Sequence, residues 1–237
     1  MSHLTFPNES TEYRAARNTL LAEEMALRRH VEEVAALRRA LPPGGEVPED
    51  YVFERIGDNG MPEKIAMSKL FGRHRTLILY SFMYGPERDA PCPMCTHLLD
   101  SVNGGARHVG QRASLYIVAK SPIARLVAWA YKRGWDHLAL LSTAGNNYDA
   151  DYFGDSSKVP ATIRKARGDT GKVWDETMFN VFRINDGVVR HFWGSELTWA
   201  AMEPGQHHRS GDAVNSLWGL LDMTPEGRGQ FMPKLAY

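Results

Sequence analysis

The sequence predicts an α/β domain: a mixed central sheet covered by helices on both faces, with an added N-terminal helix. Three observations carry this. Short apolar runs alternate with helical patterns between residues 76 and 143, the order expected of parallel strands joined by right-handed crossovers. Two strand-like runs then flank Asn185-Asp186-Gly187, a turn typical of antiparallel hairpins. Ahead of both, residues 15–40 contain no glycine and no proline, and strong helix formers dominate there.

Each element follows from its own residues. In the N-terminal helix, Leu20, Leu27, Val31, Val34 and Leu41 recur mostly at three, four or seven positions, one apolar stripe among charges. "LPPGG" stops it. "YVFERIGDNG" alternates and then turns, which predicts a short hairpin within residues 47–70. "TLILYSFMY" (76–84), "SLYIVAK" (114–120) and "HLALLST" (137–143) read as strands. In "SPIARLVAWAYKRG", Ser121 is an N-cap, Pro122 suits the first helical position and Gly134 the end. Val214, Leu217, Trp218 and Leu221 predict a closing helix. The long polar stretch 144–176 reads as a loop, of the kind that serves as a lid or binding loop. The domain reading is a helical extension over 1–45 and the main domain over 46–237.

Composition narrows the partners. Lys+Arg and Asp+Glu balance at 28 each, so no net field favours nucleic acid or an anionic membrane. No apolar run reaches the length that spans a bilayer. The polar start "MSHLTFPNESTEYRAARN" lacks the apolar segment of a secretory signal, which predicts a cytoplasmic protein. In that reducing compartment a close cysteine pair reads as redox or metal chemistry rather than as a staple.

The chain has two cysteines, Cys92 and Cys95, both in "APCPMCTHLL". Pro91 biases Ala90 toward an extended conformation, and Pro93 fits only the first turn of a helix. A helix therefore starts at or just after Cys92, carries Leu98, Leu99 and Val102 toward the sheet, and ends near Asn103-Gly104-Gly105. Cys92 then stands where free amides and the helix dipole favour an anion, which lowers a thiol's pKa. Cys95 follows one turn later, within disulfide reach. Such a pair can attack a substrate disulfide and resolve the mixed species. A zinc site would need histidines such as His74, His97 or His108 to complete four ligands, and no second Cys/His pair has that spacing; no metal is expected. Covalent haem would need a histidine where Thr96 stands.

Strand, Cys-Pro-Met-Cys, helix and strand in this order resemble the thioredoxin superfamily, and so imply a three-layer α/β/α sandwich. Residues from about Glu12 onward resemble, more closely, a thioredoxin-like bacterial family catalogued as domain of unknown function 899. The stretches that carry this are the Ala/Leu/Glu/Arg helix closed by "LRRALP", "LFGRHRTLILYSFMYGPE" leading into "CPMC", "LYIVAKSPIARLVAWAYKRGW", and "LLDMTPEGRG". The middle also resembles a peroxiredoxin layout. Gly85 and Asp89 stand where the peroxiredoxin proline and threonine would precede the cysteine, which weakens a peroxide-reducing reading. Thr177 aligns with the proline that precedes the closing hairpin in thioredoxins, and Pro93 sits as in glutaredoxins. The resemblance implies the fold more firmly than a reaction; the spacing and placement of the dithiol predict a thiol–disulfide oxidoreductase with Cys92 as nucleophile and Cys95 as resolving thiol. Its partners would be a thiol or disulfide substrate and a reducing protein, with no bound cofactor. The competing reading is an interaction protein without turnover that uses its N-terminal helix for dimerisation or partner docking.

Pro91, Pro93 and Thr177 are the expected substrate contacts beside the dithiol, and Trp174, in the long loop, is a further one. Asp149, Asp151 and Asp155 lack the spacing of a calcium loop and are expected in solvent. His207 and His208 are expected on a surface loop. Trp129, Trp135, Trp193 and Trp218 are expected in the core. His97 is expected on the helix surface, with proton donation as the alternative.

Overall fold

The computed structural model describes residues 4–168 and 171–236. It divides into two compact units, residues 1–43 and 44–237. The first is built on helix α1 (Thr11–Arg39), whose N-cap Ser10 accepts from the Tyr13 amide at 3.1 Å. None of its residues is buried, and Leu20, Leu27, Val31 and Leu37 are all exposed.

The second unit follows the order β1 (Val52–Ile56), β2 (Pro62–Ala66), α2 (Met67–Leu70), β3 (Thr76–Ser81), α3 (Pro93–Val109), β4 (Ser114–Ala119), α4 (Ile123–Arg133), β5 (Ala139–Ser142), α5 (Tyr148–Asp151), α6 (Ala161–Ala166), β6 (Phe179–Asn185), β7 (Val188–Gly194) and α7 (Ser216–Asp222). The strands form one sheet in the order β2-β1-β5-β4-β3-β6-β7. The central three are parallel, β3 with β4 and β4 with β5. Antiparallel hairpins close both edges, β1–β2 beside β5 and β6–β7 beside β3. This is the mixed sheet of a thioredoxin-like fold.

Both faces of the sheet are covered, which is why its central strands are continuous apolar runs. Leu77 and Leu79 of β3 point into one core with Tyr51, Phe53, Leu141 and Phe182. Tyr80 points into the other, with Leu99, Ile117, Ile123 and Trp135. The β6–β7 turn forms as expected: Asp186 and Gly187 take φ of 50° and 80°, the left-handed pair of a type I′ turn. Gly134 caps α4 at φ 68°, where a side chain would be strained.

Three expectations need correction. Strand β3 ends at Ser81 rather than Tyr84: its pairing with β6 stops at Tyr80, and only the Phe82 amide still reaches β4, at the Val118 carbonyl. Helix α3 continues past Gly104 and Gly105 to Val109; two helical glycines cost only about 1 kcal/mol each, and burial of Ala106 lies beyond them. Ser121 does not cap α4, whose N-cap is Pro122. Its hydroxyl donates instead to the Tyr84 carbonyl at 2.5 Å, tying the start of α4 to the loop that follows β3.

The 144–176 stretch is built structure in its described part rather than a bare loop. Besides α5 and α6 it pairs with itself: the Ser156 amide donates to the Trp174 carbonyl at 3.0 Å, and the Glu176 amide to the Gly154 carbonyl at 2.8 Å. Two of its aspartates are not in solvent. Asp149 and Asp155 are buried, the first accepting from the Thr143 hydroxyl and the second pairing with Lys120 Nζ at 2.7 Å. Charge count alone hides this, because a buried carboxylate depends on partners far along the chain. Burial raises the Asp149 pKa to about 6.

Candidate active site: a dithiol at a helix N-terminus

Cys92 is the N-cap of α3, and Pro93 occupies the first helical position. The Cys92 amide donates to the Met83 carbonyl at 3.0 Å, and the extended backbone of Cys92 itself, φ -60° and ψ 125°, leads into the helix. Cys92 is half-buried and Cys95 buried; both are free thiols. Their sulfurs are hydrogen-bonded to each other. That contact with Cys95 brings the Cys92 pKa down to about 6, helped by the amides of Cys95 and Met94 and by the charge of Arg88, against the opposing effect of burial. Cys95 moves the other way, well above the usual thiol value, because Cys92 holds its proton and the site is dry. One thiolate and one thiol is the division of labour a reversible dithiol needs.

Beneath them lies Tyr80, fully buried, its hydroxyl in contact with both Cys95 and the Thr177 side chain. Composition gives no hint of this tyrosine's place; only the alternation of β3 that turns Tyr80 toward α3 signals it. Thr177, just before β6, thus contacts Tyr80 and shares a cavity wall with Cys95. The loop after β3 is held from two sides. Asp175 accepts from the Gly85 amide at 2.6 Å and from Arg88 Nε at 3.2 Å. Arg125 donates to the Gly85 carbonyl at 3.1 Å and to the Arg88 carbonyl, and lies 4.2 Å from the Tyr84 ring centre. A Cβ at Gly85 would come within 2.6 Å of the Asp175 carboxylate, so a larger residue would displace that side chain. Neither Arg88, Arg125 nor Asp175 stands out in the sequence, since Arg88 lies 87 residues from Asp175 and Arg125 lies 40 and 37 residues from Gly85 and Arg88.

A cavity of about 580 Å³ opens beside the pair, with Cys95, Tyr80, Thr177 and Trp174 among its walls. Cys92, Pro91 and Pro93 are not among them. Trp174 is half-buried, its indole N–H donating to Glu176 Oε1 at 2.5 Å. The outer wall comes from the chain after β7, including Ser195, Gly211 and Trp218. His207 and His208 are exposed, as expected, at the rim of the same cavity. His97 is half-buried with its ring edge-on to Trp218, and Asn215 Nδ2 donates to its Nε2 at 3.1 Å, an arrangement that suits neutral imidazole; burial lowers its pKa. Trp135 and Trp218 are in the core, whereas Trp129 and Trp193 are only partly covered. Among the described residues no group of three His, Cys, Asp or Glu side chains could hold a metal ion.

Fold and site together define a thioredoxin-like α/β protein with a Cys-x-x-Cys pair at the start of its first crossover helix. The chain belongs to the family described as "Bacterial protein of unknown function (DUF899)", whose family model matches residues 3–236. Among curated proteins, none matches it. Solved structures similar to it include peroxidoxin BcpB from Mycobacterium tuberculosis, 19% identical over 73% of this chain and 94% of that one, with a TM-score of 0.43. Reduced Prx3 in complex with hydrogen peroxide from Vibrio vulnificus is 11% identical over 70% and 91%, with a TM-score of 0.43. The exposed lipoprotein thioredoxin Etrx1 from Streptococcus pneumoniae is 13% identical over 69% and 97%, with a TM-score of 0.36. Among the described residues no helix is long and apolar enough to cross a membrane.

Proposed function

We propose that this protein is a thiol–disulfide oxidoreductase. The single observation that carries the reading is the pairing of a half-buried Cys92 at the N-cap of α3 with a buried Cys95 hydrogen-bonded behind it. The Cys92 thiolate attacks one sulfur of a substrate disulfide and the other leaves as a thiolate. Cys95 then gives up its proton and attacks the Cys92 sulfur of the mixed disulfide, and the second substrate thiolate departs. The substrate is reduced by two electrons, and the protein is left with a Cys92–Cys95 disulfide that a reducing partner restores. Pro91 and Pro93 frame the attacking sulfur, Thr177 borders the pair from the β6 side, and Trp174 supplies an aromatic contact. The chemistry uses thiols alone and calls for no bound cofactor.

The test is a redox titration with trapping of mixed disulfides by mass spectrometry. Cys95→Ser should accumulate adducts on Cys92, and Cys92→Ser should not. Equal trapping by both variants, or a wild-type protein that forms no Cys92–Cys95 disulfide at any potential, would reject the assignment. A second role, self-association, is favoured by the exposed apolar stripe of α1.

A further inference from the structure

The loop that delivers Cys92 has little of its own to hold it. Gly85 and Pro91 are buried at its two ends, while Pro86, Glu87, Asp89 and Ala90 between them are exposed. A span without a buried apolar side chain depends on polar contacts for its path.

The first turn of α4 supplies those contacts. The half-buried Arg125 bridges three loop carbonyls. Its Nη1 donates to Gly85 at 3.1 Å, and its Nη2 donates to Arg88 and, at 3.3 Å, to Asp89. Nη1 also donates to Ser121 Oγ at 3.3 Å, and that hydroxyl donates to the Tyr84 carbonyl at 2.5 Å. The guanidinium carbon lies 4.2 Å from the centre of the buried Tyr84 ring. Both hydrogens on each terminal nitrogen are thus taken. The group is committed to the loop rather than open to an anionic substrate.

Arg88 and Asp89 stand four and three residues before Cys92, so the fork sets the backbone that leads into the thiol. Fixing the Arg88 backbone also directs its side chain, which reaches Asp175 Oδ2 at 3.2 Å and lends positive charge to Cys92. Lysine could not replace this arginine. A compact ammonium reaches one end of the fork, and it cannot lie flat on Tyr84.

We propose that Arg125 is a positioning residue for the dithiol, whose fork on the Gly85, Arg88 and Asp89 carbonyls keeps the Arg88 charge beside Cys92. The inference rests on the oxidoreductase reading above and adds to it a residue that acts on Cys92 through the loop.

The test is Arg125→Lys, which keeps the charge and gives up the planar fork. The readout is the pH profile of Cys92 alkylation by iodoacetamide. Cys95 behind Cys92, Tyr80 beneath and Arg88 beside are all retained in this variant, so a shift reports placement and not a lost group. The inflection should rise by at least about 0.3 unit and by less than about one unit, because water screens the partly exposed Arg88. In an Arg88→Gln background the same substitution should move it by less than about 0.1 unit, as expected of a residue that acts through Arg88. Hydrogen exchange at the Cys92 amide should quicken roughly tenfold in Arg125→Lys, while the amides of β3 keep their protection. Should the variant fail to fold, the wild-type protein still decides: a held guanidinium gives separate NMR signals for its terminal N–H protons, and a free one gives an averaged signal. An unchanged inflection in folded Arg125→Lys, an equal shift in the Arg88→Gln background, or averaged Arg125 signals would overturn the inference and leave the oxidoreductase reading standing. A protein that forms no Cys92–Cys95 disulfide would overturn both, since Arg125 would have no dithiol reaction to serve.

Discussion

Arg88 Nε lies 3.2 Å from Asp175 Oδ2, and this contact joins the loop that delivers Cys92 to the segment that delivers Thr177. The same carboxylate oxygen holds the Gly85 amide at 2.6 Å. One aspartate therefore sets both the path of the chain into the dithiol and the place of the cation beside it. Local sequence contains neither partner of the other, so the link exists only once β3 and β6 lie side by side.

Alkylation of Cys92 by iodoacetamide should follow a pH profile with its inflection near 6. Arg88→Ala should raise that inflection by less than about one unit, since the arginine is partly exposed and water screens it. An inflection near the free-thiol value of about 8.5 in the wild-type protein would contradict the site's electrostatics.

Tyr80→Phe should slow the resolving step while leaving the attack by Cys92 nearly unchanged. The hydroxyl it removes touches Cys95 as that sulfur becomes a thiolate. A hydrogen bond to a charged group is worth about 1.5–3 kcal/mol, so the rate of Cys95 attack should fall roughly tenfold or more. Single-turnover kinetics with an acid quench separates the two steps.

Asp149 should make the fold more stable in mild acid than a simple carboxylate would. Its folded-state pKa, about 6, lies above the ordinary 3.8, so the fold favours the protonated form. That contribution is complete below the ordinary value and is lost as pH rises through 6. Asp149→Asn should therefore gain on wild type between pH 4 and pH 7, by up to about 3 kcal/mol. Urea melts at the two pH values measure it, and parallel curves would refute it.

Removal of residues 1–43 should leave the sheet unit folded, with its dithiol titration intact, because α1 buries none of its own residues. The full chain should self-associate and the shortened one should not, as expected of a helix that leaves Leu20, Leu27, Val31 and Leu37 exposed. Light scattering on both forms decides this, and equal masses would remove the helix from any such role.

Local chemistry alone determined that the dithiol helix begins at or just after Cys92, because Pro93 belongs in a helix's first turn. It determined the β6–β7 hairpin, since Asp186-Gly187 accepts left-handed φ cheaply, and the end of α4 at Gly134 for the same reason. It also determined the alternation of strand and helix that makes the sheet. The tertiary structure decided what surrounds the sulfurs. Tyr80 beneath Cys95, Asp175 against Arg88, the buried Asp149 and the cavity wall built from the chain after β7 all join residues distant in sequence. Proline and glycine restrict their own dihedral angles, so their effects are legible one residue at a time. A hydrogen bond or an ion pair across the fold depends on which segments pack together, and no single stretch of chain contains that information.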